Sequence, residues 1–316
     1  MDNLITSYTD GNKMTVNEML KDPKFIPNMI LKSLEGAFIE DVIFRDGGTN
    51  DGVVAYREAA SRYLNDDAQD VAEFAEIPVS DMNHGKLRSV IGVKRALAIR
   101  VSWEMRHFDR IDQLNAQITA LQNTMIRDSV RSALGAFNAA DIGTMSASKA
   151  WNQSGGDPIK DISDAIEKVQ LAAPEGADDD DTFGYNPNVL LLPTSAWTAM
   201  KRNDLVQRLY VGNVADRNPL LSTTDQTYQG DTGFVYDGLH VLLSRWVPKN
   251  TAYVLESGVA GFRSDAQPLS FTPAYAEGGN QETGGPTQSW RVDAFRHGIR
   301  ACDNPKAVVK ITGVTA

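Results

Sequence analysis

The chain has 316 residues, 42% hydrophobic and 8% aromatic, which is enough apolar material for roughly two folded domains and too much for a disordered one. A formal charge of -10 excludes a surface built to coat DNA or an anionic membrane, because phosphate binding depends on clustered Lys and Arg. The single cysteine, Cys302, excludes an intrachain disulfide or a thiolate metal cluster made by one chain, and it fits a reducing cytoplasm.

Residues 1–35 have mixed polarity. Met1-Asp2-Asn3-Leu4-Ile5 lacks the basic, apolar, small-residue order of a signal peptide, so export is not expected. Thr15-Val16-Asn17-Glu18 is a capping-box pattern, which predicts a short helix ending before Pro23. With Pro23 and Pro27 breaking it, the segment reads as an extended arm that needs a neighbouring surface to order it. Ala37 to Phe44 then reads as a short apolar strand, closed by the turn signals Asp46-Gly47-Gly48 and Asn50-Asp51-Gly52, and Val53-Val54-Ala55-Tyr56 begins another.

Between Tyr63 and Gly85 there is no Lys or Arg, while Asp66, Asp67, Asp70, Glu73, Glu76 and Asp81 are acidic. From Lys86 to Arg100 the balance reverses, with Lys86, Arg88, Lys94, Arg95 and Arg100 and no acid. This order predicts a long hairpin or projecting loop whose arms carry opposite charge. The arms either pair locally, at about 0 to 1 kcal/mol per exposed pair, or lie on a second copy, where complementarity sets docking register.

The basic strand from Lys86 to Val101 runs into an unbroken helical pattern capped by Ser102, with Glu104 near the positive helix end. Phe108, Ile111, Leu114, Ile118, Leu121 and Met125 recur at helical spacing, and Ile126, Val130, Leu134 and Phe137 continue on a slightly rotated stripe. This predicts one buried face over about 34 residues, roughly 50 Å at 1.5 Å per residue. A coiled coil is disfavoured because the stripe drifts and Gln117 and Gln122 lack a zipper's charge pattern.

The second half alternates helices with strands. Asp161 to Leu171 reads as a helix with Ile162, Ile166 and Val169 on one face, and Val189 to Leu192 as a buried strand meeting a helix that starts at Thr194-Ser195 and reaches about Tyr210. Gly212 to Gly233 is polar and turn-rich; Leu239 to Leu243 and Tyr253 to Leu255 are strand candidates, and residues 277 to 286 form a glycine-rich turn. Trp290 to Ile299 and Ala307 to Ile311 alternate like two strands of one sheet, separated by Asp303-Asn304-Pro305. No internal repeat is present, and no stretch approaches the roughly 18 apolar residues of a membrane span.

No catalytic, cofactor-binding or metal motif stands out. There is no HExxH, GxSxG, Walker loop or dinucleotide fingerprint. His84, His107, His240 and His297 fall at no ligand spacing, and Asp178 to Asp181 lacks the alternating ligands and closing glutamate of an EF-hand loop. Ser195 between strand and helix lacks the glycines of a nucleophile elbow and reads as a helix cap. Cys302 reads as an ordinary buried thiol.

The order of parts resembles the HK97-type major capsid proteins of tailed double-stranded DNA bacteriophages. The resemblance rests on Ala75-Glu76-Ile77-Pro78-Val79-Ser80 before the basic strand, on Val101-Ser102-Trp103-Glu104 entering the long helix, and on Trp290 to Ile299 with Asp303 to Val309 at the end. It implies an α+β HK97-like capsid fold with residues 1–35 as an N-arm, 36–50 as a peripheral-domain strand and 51–95 as an extended E-loop. Residues 96–142 would be peripheral domain with the spine helix, 143–288 a mixed α/β axial domain, and 289–316 the peripheral return strands.

The implied function is self-assembly into the hexamers and pentamers of an icosahedral head in the host cytoplasm. The implied partners are a separate scaffolding protein, a portal and decoration proteins, with double-stranded DNA enclosed without specific binding. Some relatives crosslink an E-loop lysine to a neighbour, but Asp51 to Gly85 contains no lysine, so a noncovalent shell is expected. An encapsulin-like compartment is the nearest alternative, and a soluble acidic hydrolase or binding protein a more distant one.

Overall fold

A computed structural model describes residues 15–60, 63–174, 181–211, 221–223 and 228–316. In chain order it contains α1 (Val16–Lys21), α2 (Phe25–Leu34), α3 (Glu40–Ile43), β1 (Arg45–Asp46), β2 (Val53–Arg57), β3 (Leu87–Ile91), β4 (Val93–Ser102), α4 (Trp103–His107), α5 (Ile111–Ala139) and β5 (Gly143–Ser146). There follow α6 (Pro158–Gln170), β6 (Val189–Leu192), α7 (Thr194–Arg202), α8 (Asp204–Val211), β7 (Leu221–Thr223), β8 (Asp231–Tyr236), β9 (Leu239–Leu243), β10 (Thr251–Leu255), β11 (Phe262–Phe271), β12 (Tyr275–Ala276), β13 (Ser289–Ala301) and β14 (Val308–Thr312). One sheet runs β1-β11-β13-β12, with β4 also paired to β13, and a second runs β5-β14-β10-β6-β9-β8-β7. Strands β2 and β3 form a separate antiparallel ribbon.

The α5 helix joins the two sheets. At 29 residues it is about 44 Å long at 1.5 Å per residue. Its first half packs Leu114, Ile118 and Leu121 against Trp290, Val292 and Ala294 of β13. Its second half packs Val130, Ala133, Leu134 and Phe137 against Tyr253, Leu255 and Val308 of the seven-stranded sheet. The Ser102 cap forms as expected, with Ser102 Oγ accepting from Met105 N at 3.2 Å.

The expected continuous helix breaks, however. Asp109 has φ of 48°, and its carboxylate accepts the Val16 amide at the start of α1 (2.7 Å). Phe108 therefore leaves the buried stripe and is 60% exposed, while Met125 is half-buried against the first cluster.

Other expectations are corrected by packing. Residues 15–34 are two helices and not an extended arm. The Thr15–Glu18 capping box is complete, and Pro27 falls in the first turn of α2, where backbone N–H groups have no intrahelical acceptor to lose. Val16, Met19, Ile26 and Ile30 are fully buried; residues 1–14 lie outside the described residues. Ala37 to Phe44 is a helical turn, with Ile39 and Ile43 buried four apart, and only Arg45–Asp46 is extended.

The basic strand divides at Gly92 into β3 and β4, and the helix from Thr194 divides at Asn203. Ser195 is not a cap: its hydroxyl donates to the Lys249 carbonyl at 3.0 Å, and Pro193 holds the N-cap position. Asp231 to Gly233 belongs to strand β8, within the span read as turn-rich; residues 212–220 and 224–227 of that span lie outside the described residues. The last two strands do not share a sheet, because β14 pairs with β10 and β5 while β13 pairs with β4 and β11. The turn at Pro305–Ala307 carries the chain between sheets. Residues 143–288 likewise contribute to both sheets, since β11 and β12 belong with β13.

Candidate functional site

The β2–β3 ribbon projects a long loop. Val54, Tyr56 and Val90 pack on Phe262, Ile299 and Ala301, whereas the opposite face leaves Val53, Leu87 and Ile91 exposed. At the ribbon's root, Gly92 N donates to the Gly52 carbonyl at 2.7 Å. A Cβ at Gly92 would stand 2.9 Å from His297 Nε2 and 3.2 Å from the Gly52 carbonyl oxygen, so a larger residue here would have to push the His297 ring aside.

The loop between the strands has no regular secondary structure among its described residues; 61–62 lie outside them. Its neck is tied by Asn65 N to the Asp81 carbonyl and Asp66 N to Ser80 Oγ, both 3.0 Å. At the tip Phe74 is 98% exposed in a left-handed backbone conformation (φ 67°), and Val79 is 91% and Ile77 76% exposed. Exposed apolar side chains grouped in this way are a common feature of interaction surfaces.

Asp66, Asp67, Asp70, Glu73 and Glu76 are all exposed on this loop, and among the described residues they join no ion pair. The basic residues lie on the stem and find other partners. Arg88 pairs with Glu58 (2.7 Å), Arg95 with Asp128 of α5 (2.7 Å) and Arg100 with Glu277 (2.6 Å). Lys94 Nζ lies 5.5 Å from the Phe295 ring centroid, and the Lys86 carbonyl accepts from Glu58 N at 3.0 Å. Among the described residues, Arg88, Arg95 and Arg100 thus pair with carboxylates outside the acidic stretch from Tyr63 to Gly85.

A buried ion cluster under α5 was missed by sequence reasoning. Glu40, fully buried on α3, receives Arg300 Nε and Nη2 at 2.7 and 2.9 Å, and Arg296 Nη1 as well. Arg300 Nη1 and Arg296 Nη2 reach the Asp265 carboxylate at 2.8 and 2.7 Å. Burial alone would raise the Glu40 carboxyl, but the Arg300 hydrogen bond and the charges of Arg296 and Arg300 outweigh it and hold its pKa below the ordinary value. Asp265 is held down in the same way, its burial offset mainly by Arg296. Gly298 makes room for the cluster, since a Cβ there would fall 1.8 Å from Asp265 Oδ1.

A signal was present. Trp290, Val292 and Ala294 mark one face of β13 as buried, and its alternation carries Arg296 and Arg300 onto the same face, where buried cations demand carboxylates.

Among the described residues no group of three or more His, Cys, Asp or Glu could hold a metal ion. His107 stacks on Trp103, and Cys302 is buried, its thiol pushed up to about 12 by burial and then by Asp303. Of the acidic run Asp178 to Asp181, only Asp181 lies within the described residues. No helix among the described residues is long and apolar enough to cross a membrane.

A family model described as phage capsid protein matches residues 89–311. In sequence, no curated protein matches the chain. In structure the chain is similar to the virus-like particle from Pyrococcus furiosus, at 9% identity and a TM-score of 0.55, covering 90% of this chain and 97% of that one. It is also similar to the capsid of Myoviridae phage XM1 (12% identity, TM-score 0.53, 98% and 96% covered). A third likeness is to the holo-SrpI encapsulin complex from Synechococcus elongatus PCC 7942 (12% identity, TM-score 0.53, 86% and 85% covered).

Proposed function

Because this chain belongs to the phage capsid protein family, we propose that it self-assembles into the hexamers and pentamers of an icosahedral phage head, held together without covalent crosslinks. Its fold is the α+β HK97-like capsid fold, and the protein is a structural component of the virion capsid, not an enzyme. In this reading the five-stranded sheet with α5 as spine helix is the peripheral domain, and the seven-stranded sheet is the axial domain. The ribbon and loop of residues 51–95 are the E-loop that reaches an adjacent subunit, and residues 1–35 correspond to the N-arm.

The observation that carries the proposal is the loop tip. Phe74, Ile77 and Val79 stand bare among carboxylates with no Lys or Arg from Tyr63 to Gly85. Fully burying one such side chain contributes about 1.5–3 kcal/mol, so covering all three would supply several kcal/mol per subunit. The carboxylates would set register on a cationic rim. Because Arg88, Arg95 and Arg100 are engaged within their own chain, that rim includes other cations of the second copy.

A separate scaffolding protein, a portal and decoration proteins complete the proposed assembly in the host cytoplasm, with DNA enclosed without specific contacts. The encapsulin reading shares the fold; the family match favours a phage coat.

Negative-stain microscopy after expression with and without the scaffold tests the proposal. Shells, tubes or capsomers are expected. A monomer under both conditions would overturn it, and purified particles carrying a protein cargo in place of nuclease-protected DNA would favour the encapsulin.

A further inference from the structure

Under α5, between the two apolar clusters that the helix bridges, lies a partly open chamber of about 30 Å³ whose lining includes Phe38, Glu40, Arg95, Ser129, Arg296 and Arg300. Ser129 is 4% exposed, and its Oγ has no hydrogen-bond partner among the described residues. A buried hydroxyl in a helix ordinarily back-bonds to the carbonyl four residues earlier. Thr124 does so, to Ala120 at 2.8 Å, whereas Ser129 does not. Burying an unsatisfied hydroxyl is unfavourable, so such a group calls for a missing partner.

We infer that this chamber is a hydration site, in which an ordered water hydrogen-bonds Ser129 Oγ and links the α5 helix to the Glu40–Arg296–Arg300 cluster. Size agrees, because a single water needs roughly 10–15 Å³ of such space and two to four polar partners. Charge agrees as well. Arg95 is paired with Asp128, and Arg296 and Arg300 with Glu40 and Asp265, which leaves a neutral ligand as the one that fits. The helix thus rests on a dry core at each end and on a wet polar seam between them. This inference stands on the chamber itself and does not depend on the assembly proposed above.

The test is a structure of the protein, assembled or free, at a resolution that shows ordered waters. A peak is expected within hydrogen-bond distance of Ser129 Oγ and of at least one charged group of the cluster. An empty chamber, or a Ser129 hydroxyl bonded to a protein atom, would overturn the inference. In Ser129→Ala the same peak should weaken or vanish while the Glu40–Arg300 contacts persist; a peak of undiminished height would show that Ser129 does not hold the water.

Discussion

Replacing Glu40 by Gln keeps the side chain's size and removes one of the two carboxylate charges, Glu40 and Asp265, that both guanidiniums share. Glu40 is fully buried, and the side chains of Arg300 and Arg296 are 6% and 16% exposed. After the change two cations would face Asp265 alone. Removing one partner of a buried ion pair costs about 3–5 kcal/mol, because the remaining charge stays buried without compensation. The Arg95–Asp128 pair provides the internal control, since its side chains are 43% and 44% exposed. Asp128→Asn should therefore cost no more than about 1 kcal/mol. Urea unfolding of the unassembled chain, followed by tryptophan fluorescence and far-UV circular dichroism, measures both. Glu40→Gln should lower the midpoint several-fold more than Asp128→Asn at an unchanged denaturant slope. Equal shifts for the two variants would refute the view that the cluster holds α3, β11 and β13 together.

Acid should act on the same cluster. Glu40 and Asp265 have pKa values depressed by their arginines, so the unfolded chain binds protons more readily. Their stabilisation is fully present above the ordinary carboxylate range and is lost as pH falls through the depressed values. Melting temperature against pH should show that loss in the wild type and a flatter slope in Glu40→Gln; parallel curves would count against it. Phe74→Ser should leave the circular dichroism and melting of the unassembled chain unchanged, because the ring is 98% exposed, yet impair assembly in a sedimentation assay. Wild-type assembly by that variant would remove Phe74 from the interface. Denaturing electrophoresis of particles should give one band near 34.6 kDa, and a ladder of covalent oligomers would contradict the noncovalent shell.

Signals confined to a few neighbouring residues could be read directly. The Thr15–Glu18 capping box, the Ser102 cap, the buried Val189–Leu192 strand and the turns before β2 depend on hydrogen bonds and spacing within one turn or strand. The long apolar stripe of α5 belongs with them, and so does the acidic loop bounded by a basic stem. Where the reading failed, a distant partner had decided. Phe108 left the stripe because Asp109 docks on the start of α1, 93 residues away in sequence. The turn at Ala37–Phe44 buries Glu40 against arginines 256 and 260 residues later.

The acidic loop and basic stem that first marked this chain were fully determined by the sequence, since composition alone places six acids and no cation between Tyr63 and Gly85. Who pairs with whom was decided only by the tertiary structure. An ion pair depends on two groups arriving within a few ångströms in a place of low dielectric, and linear spacing carries no information about that. Folding brought the stem arginines to Glu58, Asp128 and Glu277, and left the loop's carboxylates and the Phe74 ring facing outward.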